Sequence, residues 1–598
     1  MNEEEKASTN ITRRDFLRDM AIGATGLAAS TTLVGCAPKV AATETAAPTA
    51  NPAASGAAPA AAAPSTATPA TGCTPSFLVP PEAIDDSKIT KTIEADIVIV
   101  GCGVSGLSAA RSASEQGASV AVIEKATTYQ YRSGQYGING SDFQKEHDME
   151  FDASSAVGDL MKEMGYRPDQ RVWNIWRNYS AEAFNWLLKP AIDKNLVDYI
   201  DAFTNTYDKD RITLCSLHFP YPKEFIPAQE YSPSYPEATI TFLPDQGGIL
   251  EMSYQICLQN KVDFHFSTWA RQLIRTDKAG RVEGVIAQDM EDKYIKFVAK
   301  KAVIMAAGDY GSNPEMVAYY CGGRTYPGFF PNVDAKGVMT NQGEGQQMGI
   351  WAGAMIDDGP HAPMTHTLGS ILGCDPFLTL NTNGDRFCNE DVAGQQISSQ
   401  LFRQPGGFGW QIFDDNYPDQ LAAMPVGHGF VNYVVADDKK IDTSGMTIGK
   451  ACSVTRADVD AGSVKADTLE ELVKKMELTE AAQAEALMSI AHYNELCKAG
   501  ADTDFNKVST RLFAIEKGPF YASKIEAGAM LVCIGGLKID PISMHVLDTT
   551  MTPIEGLYAC GNNMGGRILQ DYPVTVAGVS HGTALTFGYY VGKKAATA

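Results

Sequence analysis

The chain has 598 residues, 44% of them hydrophobic and 20% charged, a composition typical of a globular protein with room for two or three packed lobes. Its 49 Lys and Arg against 71 Asp and Glu give a formal net charge of −22. So acidic a surface argues against nucleic acid as a partner, because binding phosphates takes an excess of cations, and the charge reads as a solubility device.

The first 36 residues read as an address. Thr12-Arg13-Arg14-Asp15-Phe16-Leu17 resembles a twin-arginine export signal. The apolar stretch from Met20 to Val34 is too short to span a bilayer as a mature helix. It ends in Leu33-Val34-Gly35-Cys36, which resembles a lipobox; cleavage there would leave a lipid on Cys36. These features imply an extracytoplasmic protein, exported folded and anchored to the cell membrane. Residues 37–90, rich at first in Ala, Pro, Thr and Ser, are expected to form a tether. The 12 cysteines include no Cys-x-x-Cys pair and no Cys-x-x-Cys-His motif, so zinc, iron–sulfur and c-type haem sites with local spacing are disfavoured and no metal is expected. Cys102, Cys533 and Cys560 lie in apolar contexts that suit buried free thiols.

The first strong structural signal begins at Ile93. Ile93 to Val100 is an apolar run suited to a parallel strand buried on both faces. It enters Gly101-Cys102-Gly103-Val104-Ser105-Gly106 and then a helix of small residues that Gly117 ends. Ala118 to Ile123 forms the next strand, and Glu124 closes it, 18 residues after Gly106. Strand, glycine loop, helix, strand and terminal acid in this order form a dinucleotide site. Gly101 permits the tight turn, Gly103 admits the pyrophosphate and Gly106 brings helix to strand. Val104 and Ser105 open the helix toward the phosphates, while Glu124, with Lys125 beside it, faces the ribose. No second such fingerprint exists to hold a nicotinamide nucleotide, which favours non-covalent FAD.

Four later segments resemble the flavoprotein family of soluble fumarate reductases and 3-ketosteroid Δ1-dehydrogenases. Arg132 to Gly140 looks like the family's second flavin loop, which would place Ser133, Gly134, Gly137, Ile138 and Asn139 on the cofactor. Ala302 to Gly308 looks like its A-T-G-G strand and turn, placing Ala307 and Gly308 there too. Phe377 to Glu390 looks like the L-x-N-x-x-G-x-R-F-x-N-E block, in which Arg386 and Glu390 would orient the cap and FAD. Gly556 to Asn563 looks like the C-terminal G-L-Y-A-x-G strand, with Asn562 at the cofactor. A helix from about Gly582 would aim its N-terminus at the flavin ring through Thr583, Ala584 and Leu585. The resemblance implies an α/β fold: a Rossmann-like FAD-binding domain, residues 91–357 and 522–598, interrupted by a mobile α+β capping domain, residues 358–521. Ala466 to Leu472 reads as a capped amphipathic helix inside that domain.

The departures from the family bear on substrate. Its proton-donating Arg falls here at Gly394, followed by Gln395 and Gln396; its carboxylate-holding His falls at Val532, and its second Arg at Tyr572. All three positions lack the cation or imidazole that would hold a dicarboxylate. Tyr572-Pro573 and Gly578 are instead similar to the ketosteroid dehydrogenases, where a tyrosine hydroxyl and a glycine N–H bind a ketone oxygen; the spacing here is two residues longer. The resemblance implies a reductase that saturates a C=C bond conjugated to a carbonyl, with Tyr572, Gly578, Arg567 and His581 as catalytic candidates. His361, His366 and Tyr136 are candidate substrate contacts. Electrons would come from a membrane-bound cytochrome or a quinol-linked donor. The alternatives are oxidation of a steroid-type ketone, and a tethered electron-transfer flavoprotein.

Overall fold

The computed structural model describes residues 74–200, 208, 210–216, 235–322, 332–365, 370–372, 377–392, 394–422, 434–435, 453–527 and 530–598. The export signal, Cys36, the tether as far as residue 73, and His366 lie outside the described residues.

The apolar run seen in the sequence is the spine of the molecule. Ile89–Val100 pairs in parallel with Val120–Ile123 on one side and Tyr294–Met305 on the other, with Val98 opposite Ala121 and Val303. Ile97, Val98 and Ile99 are fully buried, as a strand covered on both faces requires. The sheet extends through Asp263–His265 at one edge and through Pro553–Ala559 and His545–Leu547 at the other. Gly284–Gln288 adds antiparallel to Tyr294–Met305, and Trp269–Ile274 pairs with it in turn.

The helix Val104–Glu115 lies against the C-terminal helix Val579–Thr597. Their closeness explains the small residues of both. A Cβ on Gly588 would stand 2.4 Å from the Ser105 carbonyl oxygen, and one on Gly592 would stand 2.5 Å from that of Ala109. The C-terminal helix starts at Val579, three residues before Gly582, because Gly578 turns the chain at φ 75°. A four-stranded sheet of Gln135–Gly137, Thr239–Leu243, Ile212–Ser216 and Val197–Ile200 supports the second glycine loop.

A separate antiparallel sheet orders Leu378–Leu380, Phe408–Asp414, Phe520–Glu526 and Val464–Ala466, and packs its own core against the helices Leu469–Lys475 and Glu480–Ala499. Thr468 caps the first of these helices by accepting the Glu471 N–H, as its sequence predicts. Buried Arg386 ties this lobe together, pairing with Glu390 at 2.8 Å and with Asp502 at 2.8 Å. The strand Phe520–Glu526 stays paired with Phe408–Asp414 as far as Glu526, so this sheet ends there and not before Ala522. Between the lobes, Ala362–Thr365 pairs antiparallel with Met530–Ile534.

Candidate flavin and substrate site

A cavity enclosing about 1140 Å³ of space not filled by atoms, part of it open to solvent, runs along the C-terminal ends of the central strands. At one end it is lined by Gly101, Gly103, Val104, Ser105, Glu124 and Lys125. Here the backbone sets the shape. Gly101 holds φ +100°, and a Cβ on it would sit 2.3 Å from the Ala306 carbonyl oxygen. A Cβ on Gly106 would sit 2.0 Å from the Gly101 oxygen. A Cβ on Gly103 would meet nothing closer than 3.9 Å, so that backbone is open to a ligand. No side chain caps the helix that follows, which leaves its first N–H groups for an anion. Glu124 is buried and accepts the N–H groups of Cys102 at 2.7 Å and Ala126 at 2.8 Å, which fixes its carboxylate at the cavity wall. Burial raises its pKa against these bonds. Lys125 pairs with Glu344 at 2.5 Å on the same wall. Ala307 and Gly308 continue the lining.

The other end carries Arg132, Val532, Asn562, Ser580, His581 and Ala584. His581 makes a 2.9 Å bond through Nδ1 to the Gln135 carbonyl, which assigns the proton to Nδ1. Burial pulls its pKa down to about 4, so the ring is neutral at pH 7 and a poor source of a proton. Arg567 is fully buried and lines no part of the cavity. It donates to Asn562 Oδ1 at 2.5 Å and to Thr583 Oγ1. Tyr572 is buried in an apolar cluster with Trp173, Ile534, Ile568 and Val574, and Met364 and Val532 pack against that cluster. The Ser580 amide and hydroxyl face its hydroxyl and favour the ionised form. Burial pushes its pKa up to about 12 against the pull of Arg567. Ser580 thus stands between Tyr572 and the cavity. Gly578 occupies the N-cap beside them and its carbonyl accepts the Gly137 N–H.

Several sequence-predicted contacts lie elsewhere. Ser133 is exposed. Gly134 packs on Phe242, and Gly137 packs on Val576 and Val579. Ile138 is buried, and Asn139 bonds the Arg177 carbonyl and Ser180. The reason is that Gln135–Gly137 is a strand paired with Thr239–Leu243, so the cavity wall is made by the residues just before it, Gln130, Tyr131 and Arg132. Leu585 belongs to the main core, and Thr583 faces Arg567. Tyr136 is fully buried, bonded through its hydroxyl to Gln246 and ringed by Phe184, Phe242 and His581, and does not line the cavity. His361 is sealed as well: Tyr310 bonds its Nδ1 at 2.5 Å, the Asp357 carbonyl meets Nε2 at 2.9 Å, and Tyr320 stacks on its ring. The Cys321 and Cys533 sulfurs are 3.3 Å apart beside this cluster.

Sequence reasoning missed Glu163 and Asp357. Glu163 accepts from the Val574 and Thr575 amides and the Thr575 hydroxyl, and is also bonded by Gln396. It therefore fixes the segment just after Tyr572 and ties it to the helix Gly394–Leu401 of the second lobe. Asp357 accepts the Gly566 N–H at 2.9 Å and fixes the turn before Arg567; burial pushes its pKa up to about 6. Each is a lone carboxylate far away in sequence from what it holds, with no local motif to mark it.

A glycine-cradled helix N-terminus, an acid at the end of the next strand and a long cavity along the strand ends define a dinucleotide-binding flavoprotein. The FAD binding domain family matches residues 96–570, and the chain belongs to it. The chain is 27% identical over 528 residues to the vinyl phenol reductase of Lactiplantibacillus plantarum, covering 84% of this chain and 96% of that protein. It is 24% identical to a fumarate reductase (cytochrome) of Shewanella frigidimarina, covering 84% and 77%. The fold is similar to that of the 3-ketosteroid-Δ4-(5α)-dehydrogenase of Rhodococcus jostii RHA1, with TM-score 0.60 at 20% identity over 86% of this chain and 99% of that one. The protein is an FAD-dependent oxidoreductase of a family that acts on CH–CH groups.

Proposed function

We propose that the protein is an exported reductase that saturates a C=C bond conjugated to a carbonyl, as a terminal reductase of anaerobic respiration. FAD, when bound and reduced, supplies the hydride from N5. The loop Gly101–Gly106, Glu124, Ala307, Gly308, Asn562 and Ala584 would hold it. The observation that carries the reading is the replacement of all three dicarboxylate-binding positions, together with the apolar cluster around two of them, Val532 and Tyr572. Val532 stands on the cavity wall where a histidine would hold a carboxylate, and Tyr572 lies behind Ser580. A hydroxyl pair of this kind suits a carbonyl oxygen gaining negative charge better than a standing carboxylate. The relatives named for reducing vinyl phenol and fumarate support the reaction class. Export by the twin-arginine route, a lipid on Cys36 and electrons from a membrane cytochrome or quinol-linked donor complete the proposal; Arg13-Arg14 and Leu33 to Cys36 support it.

The test is anaerobic. The flavin is photoreduced and then mixed with enones, enoates, unsaturated lactones and fumarate, and its reoxidation is followed by absorbance. Reoxidation by neutral conjugated carbonyls, and little by fumarate, is expected; reoxidation by fumarate alone overturns the reading. Tyr572-Pro573 also favours a second reading, oxidation of a steroid-type ketone, which the same protein with a dye acceptor would reveal.

A further inference from the structure

Arg567 is completely buried, yet among the described residues no carboxylate oxygen comes within 4.0 Å of its guanidinium. One terminal nitrogen donates to Asn562 Oδ1, the other donates to Thr583 Oγ1, and Nε has no partner. Burial lowers its pKa only to about 10, so the group is charged at neutral pH. Asp357 and Asp309 attract it from a distance without bonding it, and a cation held out of water calls for such opposite charge. Arg132, the half-buried cation on the cavity wall itself, has Asp309 near it.

Both partners of Arg567 lead to the cavity. Asn562 lines it, and Thr583 bonds back to the Val579 carbonyl in the first turn of the helix Val579–Thr597, whose Ser580, His581 and Ala584 line it too. Gly578 at the N-cap has no side chain to cap that helix, and the helix's positive end lies at the cavity wall that Ser580 and His581 form. His581 adds no charge there, being neutral. The charge of Arg567 therefore adds to the helix dipole at the cavity wall formed by Asn562, Ser580 and Ala584.

We propose that Arg567 is an electrostatic positioning residue for the cofactor: its charge, bonded to no carboxylate among the described residues, acts through Asn562 and the first turn of the C-terminal helix to stabilise negative charge on the flavin ring. A bound flavin ring that took up two electrons and one proton from a low-potential donor would change from neutral to anionic. Arg567 supplies the counter-charge that this anion lacks in the oxidised protein. The proposal rests on FAD being the cofactor and not on the identity of the substrate.

Sulfite probes the same field without substrate or electron donor, since its addition at N5 leaves negative charge on the ring. Arg567→Gln and Arg567→Met remove the charge, and Arg567→Lys keeps it without the planar fork. Two neutral variants are made so that one that folds and holds FAD suffices. For that holoprotein the sulfite dissociation constant is expected to rise tenfold or more. The two-electron midpoint potential should fall in parallel, by about 30 mV for each tenfold. Arg567→Lys should stay within threefold of the parent in sulfite affinity. A neutral variant that holds FAD fully with unchanged affinity and potential overturns the proposal. So does a Lys variant that loses as much as the neutral ones, because a structural role would treat all alike. Neither readout uses an organic substrate, so a failed reoxidation panel and a failed Arg567 test are separate results.

Discussion

The two ends of the cavity are built by different means. At the dinucleotide end the shape comes from backbone, with Gly101 and Gly106 pressed against carbonyl oxygens at distances that no side chain tolerates. At the Tyr572 end it comes from side chains held by other side chains: Glu163 holds Thr575, Asp357 holds the turn before Arg567, and Arg567 holds Asn562. A backbone-built site admits few sequences and keeps one ligand. A side-chain-built site can be rewritten residue by residue, which is how one fold serves several substrates.

The largest effect should come from the backbone end. Gly106→Val forces a branched side chain into a space where even Cβ lies 2.0 Å from the Gly101 oxygen, so helix and strand must separate. The purified variant is expected to carry no FAD, read as absent flavin absorbance against protein absorbance. A variant that retains full flavin would break the contrast between the two ends. Tyr572→Phe should do the opposite: FAD content stays complete while turnover of a conjugated carbonyl falls about 10²–10³-fold, the usual cost of removing one oxyanion donor. Single-turnover reoxidation measures it. Full activity in the Phe variant would remove Tyr572 from the chemistry.

This division also explains what the sequence discloses. The fingerprint from Asp96 to Glu124 is legible because only glycine fits at φ +100° or at 2.0 Å from a carbonyl oxygen, so the chain must display it. The parallel strands are legible by their unbroken apolar runs. The second flavin loop is half legible: Arg132 to Gly140 is found, but the strand register of Gln135–Gly137 turns Gly134, Gly137 and Ile138 toward protein. His361 and Tyr136 misled because a polar side chain near a site says nothing about which way it faces. Glu163 and Asp357 left no trace, being single residues whose partners are 411 and 209 positions away.

A smaller effect tests electrostatics at the side-chain end. The folded pKa of His581 is depressed from 6.5 to about 4 by burial. A depressed histidine contributes stability that is fully present above its unfolded pKa and is lost as pH falls through the folded value. Relative to His581→Gln, the parent should therefore lose up to about 3 kcal/mol between pH 6.5 and 4. Denaturant midpoints measured across that range check it, and parallel profiles for parent and variant would show that the ring titrates freely in the folded protein.

The smallest effect returns to the dinucleotide end. Lys125 and Glu344 form an ion pair on the cavity wall, with side chains 17% and 32% exposed. Partly solvated pairs are worth at most about 1 kcal/mol, and salt weakens them. If backbone geometry dominates this end, Lys125→Gln should leave FAD stoichiometric and weaken its binding by no more than about fivefold, less than 1 kcal/mol at 0.59 kcal/mol per natural-log unit. Titration of apoprotein with FAD at low and high salt decides it. A loss of tenfold or more that disappears at high salt would mean that a side-chain charge, and not the glycine cradle alone, holds the phosphates. The contrast between the two ends would then be one of degree.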